Sequence, residues 1–333
     1  MRRRRMGEYV EDLDVGDGAT TFPAIIVIMG PTAVGKSAVA LELAARFGAD
    51  ILSADSRQVY RHLDIGTAKP TIAERATVPH HLIDLVEPDE SYSTALFRRD
   101  ADRVLQGLSR KDRVAFLVGG SPHYLQAVVE RLQIPPVPPQ PAFRDEMEQL
   151  VREQGPEALH RRLRDADPAA ADEIAGTNVR RVIRALEVIQ ATGRPFSEVG
   201  RKRGEPLRAL KLAITADRST LYRRIDDRVE EQIRAGLIEE ARRVLEMGFE
   251  PTAAPLAGLV YREAIAVVRG EMSEKQGARR MKETTHAFAR RQYTWFRRDP
   301  TLRWFELGPR TANEMADAIG RYLSSEWRMA NGE

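Results

Sequence analysis

A continuous apolar run at residues 24–29 stops at Gly30 with no polar alternation inside it, the pattern of a strand buried on both faces of a parallel sheet. The spacing beyond it predicts a helix over about Lys36 to Phe47. Further strands are expected at 50–53, 114–118, 210–215 and 302–305, separated by stretches long enough for crossovers. This alternation predicts an α/β, doubly wound parallel sheet. After residue 216 the apolar positions fall at helical spacing, as in Leu221, Ile225, Val229 and Ile233, and again in Ala241, Val244 and Leu245. The C-terminal part is therefore expected to be helical.

Two stretches punctuate the core. Residues 134–141 (Ile-Pro-Pro-Val-Pro-Pro-Gln-Pro) must run extended, and residues 200–206 form a basic, glycine- and proline-bounded turn. The pattern between them is helical. The expected organisation is a tail over 1–22, a core over 23–131 and 206–325, a helical insertion over 132–205, and a second tail over 326–333.

Composition narrows the chemistry. The chain has no cysteine, which excludes disulfides, thiolate metal sites and a cysteine nucleophile and fits a reducing, cytoplasmic setting. No apolar run approaches the about 20 residues of a membrane helix. Arg2 to Arg5 have no apolar stretch behind them and are followed by acids, so the N-terminus reads as a solvated tail rather than a signal peptide. Formal net charge is only +3, but residues 178–203 hold seven Arg or Lys against two Glu, and residues 279–303 hold eight against two acids. Such clusters suit a polyanionic partner, although solvated helix faces look the same.

Gly30-Pro31-Thr32-Ala33-Val34-Gly35-Lys36-Ser37 satisfies the pattern G-x-x-x-x-G-K-[ST] directly after the expected strand and at the start of the expected helix. Backbone amides, the helix N-terminus and Lys36 would hold a di- or triphosphate, with the Ser37 hydroxyl on a magnesium ion. A conventional ATPase would next offer a strand ending in a metal-holding acid, but residues 114–118 run into Gly119-Gly120. The acid follows the second strand instead, as Asp55, at the sheet edge that carries the P-loop. It faces the phosphate chain or caps a helix. His80 and His81 have no acid near them at ligand spacing and read as structural or loop hydrogen bonders rather than a metal pair.

These motifs, with Asp-Ser-Arg-Gln-Val-Tyr at 55–60, Leu-Asp-Ile-Gly-Thr-Ala-Lys-Pro at 63–70, Pro-His-His-Leu-Ile-Asp at 79–84, Arg-Ala-Leu-Glu-Val at 184–188 and Thr-Trp-Phe at 294–296, resemble the tRNA dimethylallyltransferases over almost the whole chain. The resemblance implies transfer of a dimethylallyl group from dimethylallyl diphosphate to the exocyclic amine of the adenine 3′ of the anticodon, with magnesium, by a cytoplasmic, monomeric enzyme. On that model Lys36, Thr32, Arg224 and Arg228 stabilise the departing pyrophosphate, and Asp55 accepts the amine proton. The adenine must be flipped out of the anticodon loop. The resemblance places Asp55, Ser56, Arg57, Gln58, Ser121, Tyr261, Arg262, Arg290, Arg291, Gln292 and Trp295 at the RNA, and Arg180, Arg181 and Arg184 on the phosphate backbone of the anticodon stem-loop.

Four departures from the family pattern bear on RNA affinity: Pro122-His123 after Ser121, Val260 in place of a glycine, Thr177-Asn178 ahead of the 184–188 helix, and Arg290 in place of a lysine. Three other readings stay open at this point. An adenylate prenyltransferase would act on free nucleotides, a P-loop kinase would turn over ATP, and an RNA-binding protein with a degenerate site would not need Asp55.

Overall fold

The computed structural model describes residues 25–331 except 112, 136, 200–201, 204–205 and 309. The expected tail at 1–22 and part of the basic turn at 200–206 lie outside these residues. Among the described residues, the chain divides into two units, one of residues 25–129 and 207–331 and the other of residues 130–206.

In the first unit, β1 (Ile25–Met29) leads through the P-loop into α1 (Lys36–Phe47), then β2 (Asp50–Ser53), α2 (Ile72–Thr77), β3 (His80–His81), α3 (Thr94–Ser109), β4 (Ala115–Gly119) and α4 (Pro122–Val129). All the strands expected from the apolar pattern are present; β3, only two residues long, has no such signal. It pairs with β2, and His81 Nε2 lies 2.7 Å from the buried Asp50 carboxylate. Pro122 opens α4, a position where its fixed φ and missing N–H fit a helix start.

The second unit holds the two-residue strands β5 (Leu132–Gln133) and β6 (Lys202–Arg203), paired antiparallel, and the helices α5 (Pro141–Gln154), α6 (Pro156–Ala166), α7 (Pro168–Glu173), α8 (Val179–Thr192) and α9 (Phe196–Val199). Its core gathers Phe143, Met147, Leu159, Leu163, Val182, Ile183 and Leu186. The unit also buries the carboxylates of Asp167 and Glu187. The Glu187 carboxylate accepts from Arg144 at 2.8 and 2.9 Å, from the Gln140 amide at 2.7 Å and from Arg184 at 2.6 Å, and these contacts hold it down to about 2 against the desolvation that opposes them. Asn178, one of the departures, caps α8 through a bond from the Arg181 amide.

The chain returns to the first unit with β7 (Ala209–Thr215), α10 (Arg218–Arg234), α11 (Leu237–Glu246), α12 (Leu259–Val268), α13 (Glu274–Phe296), β8 (Arg303–Glu306) and α14 (Ala312–Asn331). The last helix runs past the boundary at 325 expected from the sequence. The six strands form one parallel sheet in the order β3-β2-β4-β1-β7-β8. Ile25, Val27 and Met29 point into one apolar layer, with α3, α4, α11, α12 and α13; Ile26 and Ile28 point into the other, with α1 and α14. That two-sided burial is why β1 reads as an unbroken apolar run. Among the described residues no helix is long and apolar enough to cross a membrane.

Candidate active site

The P-loop lies at the C-terminal end of β1. Gly30 is required there because a β-carbon would sit 2.6 Å from the Ile214 carbonyl oxygen of β7. Gly35 takes φ +99° and caps α1 without a side-chain bond, and the first turn carries no acid. The helix therefore presents its amides and partial positive charge to an anion. Two guanidinium groups one turn apart on α10 dock on the loop: Arg224 Nη1 donates to Val34 O at 3.1 Å, and Arg228 Nη1 to Thr32 Oγ1 at 3.4 Å. Lys36 Nζ turns back to Pro31 O at 3.4 Å. The structure thus brings together all the groups expected at the pyrophosphate.

Asp55 reaches the same place from the end of β2. Its Oδ1 accepts from the Arg57 amide at 2.9 Å, a two-residue turn that fixes the carboxylate. Ser121 Oγ holds the next amide, that of Ser56, at 2.9 Å. The ends of β2 and β4 approach so closely that a β-carbon on Gly119 would lie 2.1 Å from Ala54 O, so the glycines that replace the ATPase acid have a packing function of their own.

Charge converges on this point. Desolvation pushes Lys36 down to about 8, with the Asp55 charge opposing and Arg228 adding to the fall. Arg57 and Arg228 are lowered by burial in the same way, and for both the Asp55 charge pulls back up. The Tyr124 phenol is raised, chiefly by burial, with Tyr60 and Asp55 adding. Asp55 therefore stands among the P-loop cations, as the facing role requires; it caps no helix.

The Lys36 shift has a measurable consequence. The folded value lies below the unfolded 10.5. Below pH 8 the fold must hold this ammonium charged against burial, which costs stability, and the cost fades as pH rises from about 8 towards the unfolded value. A bound diphosphate reverses the balance. Its binding near pH 8–9 is expected to take up a proton, seen by calorimetry as a heat that depends on buffer ionisation enthalpy, and Lys36→Met is expected to abolish the uptake.

Several residues expected at the RNA are spent inside the protein. Gln292, 4% exposed, accepts from the Thr32 amide at 2.9 Å and donates to Gly120 O at 2.7 Å, tying the P-loop to the end of β4. Tyr261, 1% exposed, donates to Glu240 at 2.6 Å. Gln58 accepts from Ser53 Oγ and donates to the carbonyls of Thr67 and Ala68, and the Arg57 guanidinium donates to those of Ala254 and Pro255. Trp295 packs half-buried against Phe296, and Val260 is buried in the core rather than facing a ligand. Arg262, Arg290 and Arg291 remain exposed, Arg290 with a 2.8 Å bond to the Tyr222 hydroxyl. In the second unit Arg180 is exposed and Arg181 half-buried, while Arg184 belongs to the Glu187 cluster.

Two residues that shape the 63–70 loop, Glu240 and Gln232, carry no signal of their own in the sequence. The buried Glu240 carboxylate accepts from the amides of Asp64, Ile65 and Gly66 at 2.9, 2.9 and 3.1 Å. Gln232 Nε2 donates to the carbonyls of Ile65 and Gly66. Lys69, its side chain 1% exposed, pairs with Asp64 and Asp84. The loop so held walls a cavity of about 980 Å³ that also touches Lys36, Ser37 and Arg228.

A P-loop without an acid after β4, its cations facing a carboxylate from the end of β2, suits an enzyme that grips a diphosphate and does proton chemistry on a group beside it. Comparison with known proteins gives the family. The IPP transferase family model matches residues 58–299, and the isopentenyl transferase model matches residues 23–84. The chain belongs to the IPP transferase family. It is 45% identical to the tRNA dimethylallyltransferase of Thermomicrobium roseum over 91% of this chain and 92% of that one. The tRNA dimethylallyltransferase of a Roseiflexus species is 48% identical over 84% and 91%. The crystal structure of a tRNA isopentenylpyrophosphate transferase from Bacillus halodurans superposes with a TM-score of 0.69 at 34% identity, covering 92% of this chain and 97% of that one. A eukaryotic dimethylallyltransferase acting on tRNA shares the fold, with a TM-score of 0.72 at 24% identity over 91% and 79%.

Proposed function

We propose that the protein transfers a dimethylallyl group from dimethylallyl diphosphate to the exocyclic amine of the adenine 3′ of the anticodon in tRNA. The observation that carries this reading is the convergence of Asp55 on Lys36 and Arg228 at a P-loop that has no acid at the end of β4. That arrangement suits a leaving diphosphate and an attacking amine better than nucleotide hydrolysis.

In the reaction the bond between the allylic carbon and the diphosphate oxygen breaks and a carbon–nitrogen bond forms. The amine gives up one proton. The P-loop amides, Lys36, Arg224 and Arg228 take the charge that grows on the departing diphosphate, with Thr32 at its edge. Asp55 accepts the proton, and its fixed carboxylate also stabilises cationic character on the allylic carbon. Ser37, exposed at the start of α1, fits a magnesium ion, which characteristically keeps one or two protein ligands and fills its shell with phosphate oxygens and water. Bound there, the ion would neutralise diphosphate charge.

The exposed Arg262, Arg290 and Arg291, with Arg180 and Arg181 in the second unit, serve as phosphate contacts to the anticodon stem-loop. On this reading the protein acts in the cytoplasm as a monomer. Nucleosides from the tRNA of a host carrying the protein should contain dimethylallyladenosine by mass spectrometry, and the deletion host should lack it. Its persistence unchanged in the deletion host, with no second homologue present, would contradict the proposal.

A further inference from the structure

Glu263, on α12, is 2% exposed, and its carboxylate is only half used. Oε1 accepts from Arg262, whereas the buried Oε2 has no hydrogen-bond partner among the described residues. A buried carboxylate oxygen without a donor is costly, and such a vacancy calls for a ligand or a water. Glu263 lines a cavity of about 520 Å³ bounded by α12 and α13, within the size range of small-ligand pockets. Its walls combine three kinds of group. Glu263 offers an unused acceptor beside the carboxylates of Glu271 and Glu283, Arg280 and the Glu271-paired Arg269 offer guanidinium groups, and Pro251 and Met272 offer apolar surface.

The cavity is also linked to the reaction centre. The Asp55 carboxylate is held by the Arg57 amide, and the Arg57 guanidinium is bound by the carbonyls of Ala254 and Pro255. Those residues lead directly into Gly258, where a β-carbon would lie 2.7 Å from Arg57 Nη2, and Gly258 caps α12. Glu263 therefore sits on the helix whose start is pinned against the Asp55 turn.

We infer that this cavity is a nucleotide subsite, in which Glu263 Oε2 accepts a hydrogen bond from the exocyclic amino group of an unpaired base near the modified adenine. The inference rests on the RNA-prenylating reading above. The Oε2 acceptor suits the exocyclic amino group of adenine, cytosine or guanine, whereas uracil offers it no amine and only the ring N3–H. The two arginines supply phosphate contacts, and the apolar walls take the base face. A water on Oε2 would satisfy the oxygen but would give no preference among bases.

The test uses the full-length protein and a series of anticodon stem-loop RNAs. Each unpaired nucleotide flanking the target adenine is replaced in turn by a counterpart lacking the amine: purine riboside for adenosine, inosine for guanosine, uridine for cytidine. Binding is read by fluorescence anisotropy. The wild-type protein is expected to lose about tenfold or more in affinity at one position only, as for one hydrogen bond to a charged group. In Glu263→Gln the Arg262 guanidinium, which only donates, keeps the amide oxygen and turns the NH2 into the cavity. This variant is expected to bind the parent RNA about tenfold more weakly and to show no discrimination at that position. Arg280→Ala, at the exposed rim, is expected to weaken all the RNAs alike while keeping the wild-type discrimination, which guards against a folding defect in the first variant.

The inference is overturned if no position discriminates in the wild-type protein, or if Glu263→Gln discriminates as the wild type does. Prenyl transfer by the wild-type protein to the parent RNA is measured in parallel. Transfer without discrimination sinks the subsite alone, whereas no transfer sinks the enzymatic reading.

Discussion

Replacing Asp55 by alanine is expected to lower the rate of prenyl transfer by roughly 100- to 10,000-fold, the usual contribution of a positioned proton acceptor, while the tRNA stays bound. The carboxylate sits among Lys36, Arg57 and Arg228, all of which register its charge. On the proposed reading, its removal would leave the incoming amine without a base and the allylic carbon without a counter-charge. RNA affinity should change little, because the exposed arginines that would carry it lie elsewhere. The check is single-turnover transfer beside a binding isotherm on the same tRNA. A comparable fall in both would mean that Asp55 organises the RNA site rather than the chemistry.

The second large effect is structural. Glu240→Ala is expected to destabilise the fold by about 3 kcal/mol or more, because three loop amides and the Tyr261 hydroxyl lose their acceptor inside the protein. Burial already raises the Tyr261 phenol, and the Glu240 charge raises it further, so the hydroxyl is a committed donor. Gly66 shows how closely the loop packs: a β-carbon there would meet the Tyr261 ring at 2.5 Å. Since the loop walls the cavity beside Lys36 and Ser37, the variant should also raise KM for the prenyl donor. Glu240→Gln, which keeps one acceptor oxygen, should fall between. Urea denaturation and donor saturation curves measure the two effects, and unchanged stability in Glu240→Ala would show that the loop holds itself.

What the sequence makes legible follows from distance along the chain. The P-loop is a contiguous strand, turn and helix start, so its residues can be read together, and Asp55 follows from the same logic one strand later. The brace that unites them comes from Gln292, which is 260 residues from Thr32 and 172 from Gly120. No local pattern announces such a contact. The same holds for Glu240 and Gln232, which reach back across 174 to 176 and 166 to 167 residues to the 63–70 loop. Motif resemblance does not announce this packing either. Tyr261 and Gln292 stand in stretches that look like RNA contacts, yet their polar ends face inward, because a buried amide or phenol must find partners wherever the fold offers them. Two-residue strands such as β3 are illegible for another reason: they are too short to show any period.

The central claim, that this P-loop serves prenyl transfer to RNA rather than nucleotide turnover, is tested most directly by incubating the protein with dimethylallyl diphosphate and either unmodified tRNA or free AMP, ADP and ATP. The account predicts dimethylallyladenosine in the digested tRNA and no prenylated free nucleotide. Prenylated product from the free nucleotides alone would contradict it.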